Sequence, residues 1–263
     1  MSGNSAFEMV SERGWRRGFG NLLNNEFARW WKTRMWWILS LIWGSFTVFM
    51  VGQALFSKSI YKVLNAWGNY IDLAGLFQTM GVIVIMQGIL VGEKRDGTAA
   101  WVLSKPAARP AFILSKFVAN SLGVLATMVG MCGAVTYILF RITTKYPPDL
   151  AHLLAGMGVS FLNHLFYLTL MLMLAAFFND RRPVIGIPVA LLMLSHNLIR
   201  LLPVMGILLP WTLIVQQDSK ATLLQAALAG WPTGSYIPQV VTLMLECILF
   251  VFIAVWRFNR EEL

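Results

Sequence analysis

Residues 117–140 run for 24 positions without a charged side chain, and residues 36–56 for 21. At 1.5 Å of rise per helical residue, each run is long enough to cross about 30 Å of hydrocarbon. Similar apolar runs recur at 73–92, 153–178, 184–202 and 236–256. Inside hydrocarbon a backbone has no water to bond, so it must satisfy its own polar groups, and a helix does that within one segment. The fold class that follows is all-α integral membrane, with six spans in one transmembrane domain over 15–263. Composition agrees: 57% of the residues are hydrophobic and 13% charged, against about 45–50% and about 25% in soluble domains. A formal net charge of +9 would also suit nucleic acid. Here, however, the basic residues stand at the ends of apolar runs, where they orient the chain and meet anionic lipid. Membrane lipid is therefore the expected partner, and nucleic acid is not.

Before the first span lies a polar stretch, 1–14, read as a flexible tail, and no cleavable leader pattern is visible. Trp15, Phe19, Leu22, Leu23, Phe27, Trp30 and Trp31 then recur at spacings of three and four, with Arg16, Arg17, Arg29 and Lys32 between them. Such a face predicts a helix over 15–33 lying in the membrane interface. Residues 57–72 read as a polar connection. Residues 201–217 are apolar but carry Pro203 and Pro210, so the region 201–235 either spans or forms an external or re-entrant segment before the last span. Charge decides for six spans. With both termini cytosolic, only Lys58, Lys62, Arg141, Lys145, Arg200 and Lys220 of the 21 Lys and Arg fall outside. A seventh span would move Arg257 and Arg260 outside as well.

Between the second and third spans, residues 93–116 read EKRDGTAAWVLSKPAARPAFILSK. Five basic residues and two acids keep this stretch out of hydrocarbon. Thr98 is placed to cap a short helix over 99–104, and Pro106 to stop it. The order Glu93, Gly97, Thr98, Leu103, Ser104, Pro106, Arg109 and Lys116 resembles the first cytosolic loop of the ATP-binding-cassette (ABC) type-2 transporter permeases. That resemblance implies an elbow helix at 15–33, a coupling helix in the 93–116 loop, and export across the cytoplasmic (inner) membrane. It also implies two copies of a cytosolic ATPase that hold ATP and Mg, and a second permease copy, identical or a sister chain. Docking residues implied by the resemblance are Glu93, Arg95, Asp96, Gly97, Thr98, Ser104, Lys105, Pro106 and Arg109.

The chain carries no phosphate-binding GxxxxGK[ST] motif and no HExxH, GxSxG or CxxC spacing. It therefore has no recognisable means of binding ATP itself, and the resemblance implies a transport subunit rather than an enzyme, with no cofactor of its own and no metal. The apolar spans suit a hydrophobic, lipid-like or peptide cargo. A rival reading is a mechanotransmission module, in which the ATPase drives the spans against an extracytosolic partner and no cargo passes. Three ionisable residues fall inside spans, His164, His196 and Glu246, each roughly 10–17 Å below the outer end by helical rise. Such residues are costly in lipid and are functional candidates or interhelical hydrogen-bonders. An intramembrane enzyme built on them is a third reading. Met128, Met131 and Cys132 offer soft sulfur that suits Cu(I), although methionine commonly fills gaps between helices.

Overall fold

A computed structural model describes residues 14–105, 107–145, 147–215 and 221–261, without the Trp15 side chain. The expected tail, apart from Gly14, lies outside the described residues, as does Pro106. The described residues are mainly helical, with no strand among them. In chain order the main helices are α1 (Phe19–Trp31), α2 (Met35–Leu55), α3 (Lys62–Arg95), α4 (Thr98–Leu103), α5 (Arg109–Thr143), α6 (Leu150–Phe177), α7 (Arg181–Leu201), α8 (Leu223–Ala229) and α9 (Gly234–Asn259). Six of them, α2, α3, α5, α6, α7 and α9, are long and apolar enough to cross a membrane. The chain is accordingly a membrane protein of six candidate spans.

Helix boundaries follow from local chemistry. Asp149 caps α6 by accepting the Ala151 N–H at 2.7 Å, and Asp180 caps α7 by accepting the Arg182 N–H at 3.2 Å. A reciprocal Thr222–Gln225 capping box starts α8, and Gly230, at φ 71, ends it. Pro110 in the first turn suits the start of α5, where its missing N–H costs nothing. Helices α2, α3 and α5 each contain a π turn, at Val48–Gly52, Leu73–Phe77 and Leu125–Gly130.

Helix α6 is the centre of the bundle. In its most apolar window 78% of the residues are buried, against 28% for α7 and 17% for α9. It packs most extensively on α9 and also on α8 and α3. One core runs through these helices, including Phe166, Tyr167, Met171, Val82 and Leu243. A smaller core of Val51, Leu55, Tyr70, Leu139 and Phe140 joins α2, α3 and α5 at the end far from the 93–116 loop. Close approach requires glycine in several places. A Cβ on Gly81 would come within 2.3 Å of Trp43, and one on Gly133 within 2.4 Å of the Met157 sulfur.

Three expectations are corrected. Residues 57–72 are not simply a connection, because Lys62–Asp72 is helix and runs on into the rest of α3. Its polar residues alternate with a buried face of Ala66, Tyr70 and Ile71. Residues 109–116, read as loop, form the first turns of α5. Lys116, which argued against a span there, is fully buried and neutralised internally. Thr98 does not cap the short helix: Gly97, at φ 70, is the N-cap, and no side chain bonds the free N–H groups.

The region 201–235 contains no spanning helix among its described residues. It folds as two single turns, Met205–Leu208 and Trp211–Ile214, and then α8. Leu213, Ile214, Leu224 and Ala226 are buried. Ile214 lies so close to Gly75 that a Cβ there would meet it at 2.5 Å, and Leu228 lies as close to Gly156. The segment is a cap packed on α3 and α6.

Candidate functional site

Lys116 is the buried anchor of the 93–116 region. Its ammonium lies 2.6 Å from Glu26 Oε1 on α1 and 2.6 Å from Glu93 Oε1 on α3. Arg29 approaches the same two carboxylates at 3.8 and 3.7 Å. Two cations and two anions thus balance where α1, α3 and α5 meet, which is how a buried lysine is tolerated. Next to it, Trp30 Nε1–H donates to Asn120 Oδ1 at 3.0 Å, and the Asn120 amide donates to the Lys116 carbonyl at 2.6 Å. The Trp30 ring fills the space left by Gly123, where a Cβ would meet it at 2.4 Å.

The C-terminal end is drawn into the same region. Lys94 lies 2.6 Å from Glu261 Oε1. Arg109 Nη1 donates to the carbonyls of Asn259 and Glu261, both at 2.8 Å. Phe112 stacks on Phe258 with ring centroids 5.4 Å apart, and the Ala108 N–H donates to the Arg17 carbonyl at 2.9 Å. The amino-terminal helix, the loop and the end of α9 therefore lie at one end of the bundle as a cross-tied block.

Against this block, α4 is the part that faces outward. Ala99 is buried beneath it, whereas Arg95, Asp96, Gly97, Thr98, Trp101, Ser104 and Lys105 are exposed. Trp101 is 62% exposed, with the Lys105 ammonium 3.7 Å from its ring centroid. Arg95, Asp96 and Lys105 make no ion pair among the described residues. The expected docking residues thus fall into two groups. Arg95, Asp96, Gly97, Thr98, Ser104 and Lys105 form one outward face, while Glu93 and Arg109 are half-buried and bonded within the chain.

Trp101 was missed as a member of that face because the resemblance rests on Gly97, Thr98, Leu103, Ser104 and Pro106 and not on residue 101. The signal available was its spacing: on a helix whose Ala99 faces inward, a tryptophan two residues on points elsewhere. Glu26 was not paired with Lys116 from the sequence either. Its signal was a lone acid on a basic helix, a natural partner for a lysine that begins a span.

The three intramembrane candidates do not form one cluster. His164 is fully buried, with Nδ1 donating to the Ser160 carbonyl and Nε2 without a partner. His196 is exposed and lines a cavity with Arg200, Tyr236 and Gln239. Glu246 is half-buried, with Oε2 unpartnered. No hydrogen bond or ion pair joins any two of them among the described residues. The sulfurs of span α5 are used in packing: the Cys132 thiol faces the Trp43 carbonyl at 3.6 Å, and Met131 and Met128 fill the spaces at Gly44 and Gly81. No group of three His, Cys, Asp or Glu able to hold a metal occurs among the described residues.

Comparison with known proteins gives one family, described as "Protein of unknown function (DUF2705)", which matches residues 35–263. No curated protein matches the chain.

Proposed function

Because the chain belongs to the DUF2705 family, whose description assigns no activity, we infer its role from the site, and we propose that it is the membrane-embedded permease subunit of an ABC exporter. The observation that carries the reading is the pairing of an outward-facing short helix with a rigid base. Helix α4 offers Trp101, Arg95, Asp96 and Lys105 to a partner, and it sits between the ends of two spanning helices tied by buried ion pairs. A partner pushing on α4 would move α3 and α5 as packed rods, with α1 and the end of α9 carried along. Aromatic and arginine side chains are the residue types that dominate protein interfaces. The partner implied by the loop's resemblance is a cytosolic ABC ATPase in two copies holding ATP and Mg, with a second permease copy completing the path. Under this reading the loop and both termini face the cytosol across the cytoplasmic membrane, and the cargo is hydrophobic, lipid-like or a peptide.

The mechanotransmission reading keeps one observation in its favour. The cap between α7 and α9 exposes Leu202, Val204, Ile207 and Trp231 at the far end of the bundle, a surface that an extracytosolic protein could cover. Co-purification of the tagged chain from its native membrane separates the readings. An ABC ATPase should appear in stoichiometric amount and be lost on Trp101→Ala combined with Asp96→Lys, while the variant stays folded. Absence of any ATPase under mild detergent would overturn both readings. A stoichiometric extracytosolic protein, with ATPase activity indifferent to added cargo, would favour the second.

A further inference from the structure

A cavity of about 1040 Å³ opens at the end of the bundle away from the 93–116 loop, between α2, the start of α3 and α8. That is at the upper end of the volumes typical of small-molecule sites. Its lining is mixed: Asp72, Asn65, Gln53 and Gln225 supply polar atoms, and Trp67 and Trp231 supply aromatic surface. Asp72 makes no ion pair and no side-chain hydrogen bond among the described residues. It is exposed and lines the cavity, so its carboxylate is open to a ligand of opposite charge. Several other polar groups of the lining are already committed. Asn69 donates to the Met50 carbonyl at 2.6 Å. Gln225 Oε1 accepts the Thr222 N–H at 2.9 Å, which leaves its Nε2 available.

Part of the apolar wall is held by ring packing. Trp67 stacks on Phe140 at a centroid distance of 4.5 Å and lies edge-on to Tyr70 at 6.0 Å. Leu64 and Leu228 extend the surface. One free carboxylate in the same cavity as two tryptophans and aliphatic side chains has a definite chemical preference. It favours a ligand with one positive charge and an apolar body: the charge bonds the carboxylate, and the body covers the aromatic wall.

We propose that this cavity is a binding site for cationic amphiphiles, with Asp72 holding an amine or guanidinium head and Trp67 and Trp231 the apolar body. The site stands on its own geometry and does not depend on which partner docks at the other end. If the chain is an exporter, the same site narrows its cargo to amphiphiles carrying a positive charge.

Gly68 supplies an independent way to close the cavity. It lies in the lining, and a Cβ added there meets nothing within 4 Å. A large side chain at this position fills the void without displacing backbone, and replacing a helical glycine improves helix propensity. The test uses the full chain in phosphatidylcholine nanodiscs, with n-octylamine and n-octanol as matched probes, read by titration calorimetry against empty nanodiscs. Octylamine should bind saturably, and Asp72→Asn should weaken it about tenfold or more, as expected for a lost charge-assisted bond. Octanol binding should be weak and indifferent to Asp72→Asn. Gly68→Trp should abolish octylamine binding while leaving the melting temperature at or above that of the parent. Equal octylamine affinity in the parent, Asp72→Asn and Gly68→Trp proteins would overturn the proposal. So would octanol binding as tightly as octylamine.

Discussion

Lys116 shows how a single charge can organise three helices. Its ammonium is removed from solvent and held by Glu26 and Glu93 at 2.6 Å each. Breaking a buried ion pair by deleting one partner typically costs about 3–5 kcal/mol, because the abandoned charge stays buried. Lys116→Met should therefore destabilise strongly, by about 3 kcal/mol or more, since two carboxylates would then face only Arg29, whose side chain is 42% exposed. Adding Glu93→Gln to Lys116→Met should restore part of the loss, by leaving a single Glu26–Arg29 pair. Thermal unfolding of the purified variants in one detergent measures both effects. A Lys116→Met protein as stable as its parent would show that the network does not hold the helices together. The network was half legible in the sequence. Lys116 and Glu93 were singled out, but as loop charges, because a span is ordinarily recognised by having none. Burial with compensation is invisible to a count along the chain, since the compensating Glu26 lies 90 positions away.

At the scale of the helix, α1 is held by shape as much as by charge. Trp30 is nearly fully buried and rests on Gly123 of α5. Gly123→Ala would place a methyl within 2.4–2.6 Å of three ring atoms, and overpacking of this kind typically costs about 1–3 kcal/mol. The ring also holds the Asn120 hydrogen bond, so displacing it should loosen α1 from the bundle. Trypsin cleavage after Arg29 should then become several-fold faster than in the parent. Gly20→Ala is the control: it lies on α1 with nothing within 4 Å of the added Cβ, and it should leave cleavage unchanged or slower. Equal cleavage rates in the two variants would mean that Trp30 does not anchor the helix. The amphipathic period of α1 was readable in the sequence, because alternation of tryptophan and arginine at helical spacing has few other meanings. The π turns of α2, α3 and α5 were not. They occur inside uniformly apolar runs, where a one-residue change of register leaves composition and periodicity nearly the same.

For the whole molecule, the six long helices and the ties between chain ends constrain the topology together. The contacts of Arg109 and Lys94 bring the end of α9 to the 93–116 loop, and Lys116 brings α1 to the same place. An even number of crossings is what lets both ends of a chain meet on one side, so the ion pairs and the six-span count support each other. Under the proposed function, the excess of Lys and Arg puts this end in the cytosol. Residues near 58, in the turn between α2 and α3, must lie on the other side. Sided labelling tests this directly, since Cys132 and Cys247 are buried and should react slowly with a membrane-impermeant maleimide. Ser104→Cys and Lys58→Cys place exposed thiols at the two ends. In sealed right-side-out vesicles Lys58→Cys should label at once, and Ser104→Cys only after the membrane is permeabilised. In inverted vesicles the order should reverse. Labelling of both positions from one side would break the six-span arrangement. With it would go the premise that α4 and the Asp72 cavity lie across the membrane from each other, so that a partner at one end could influence a ligand at the other only through the helices that join them, α3 directly and α5 through the Phe140–Trp67 stack.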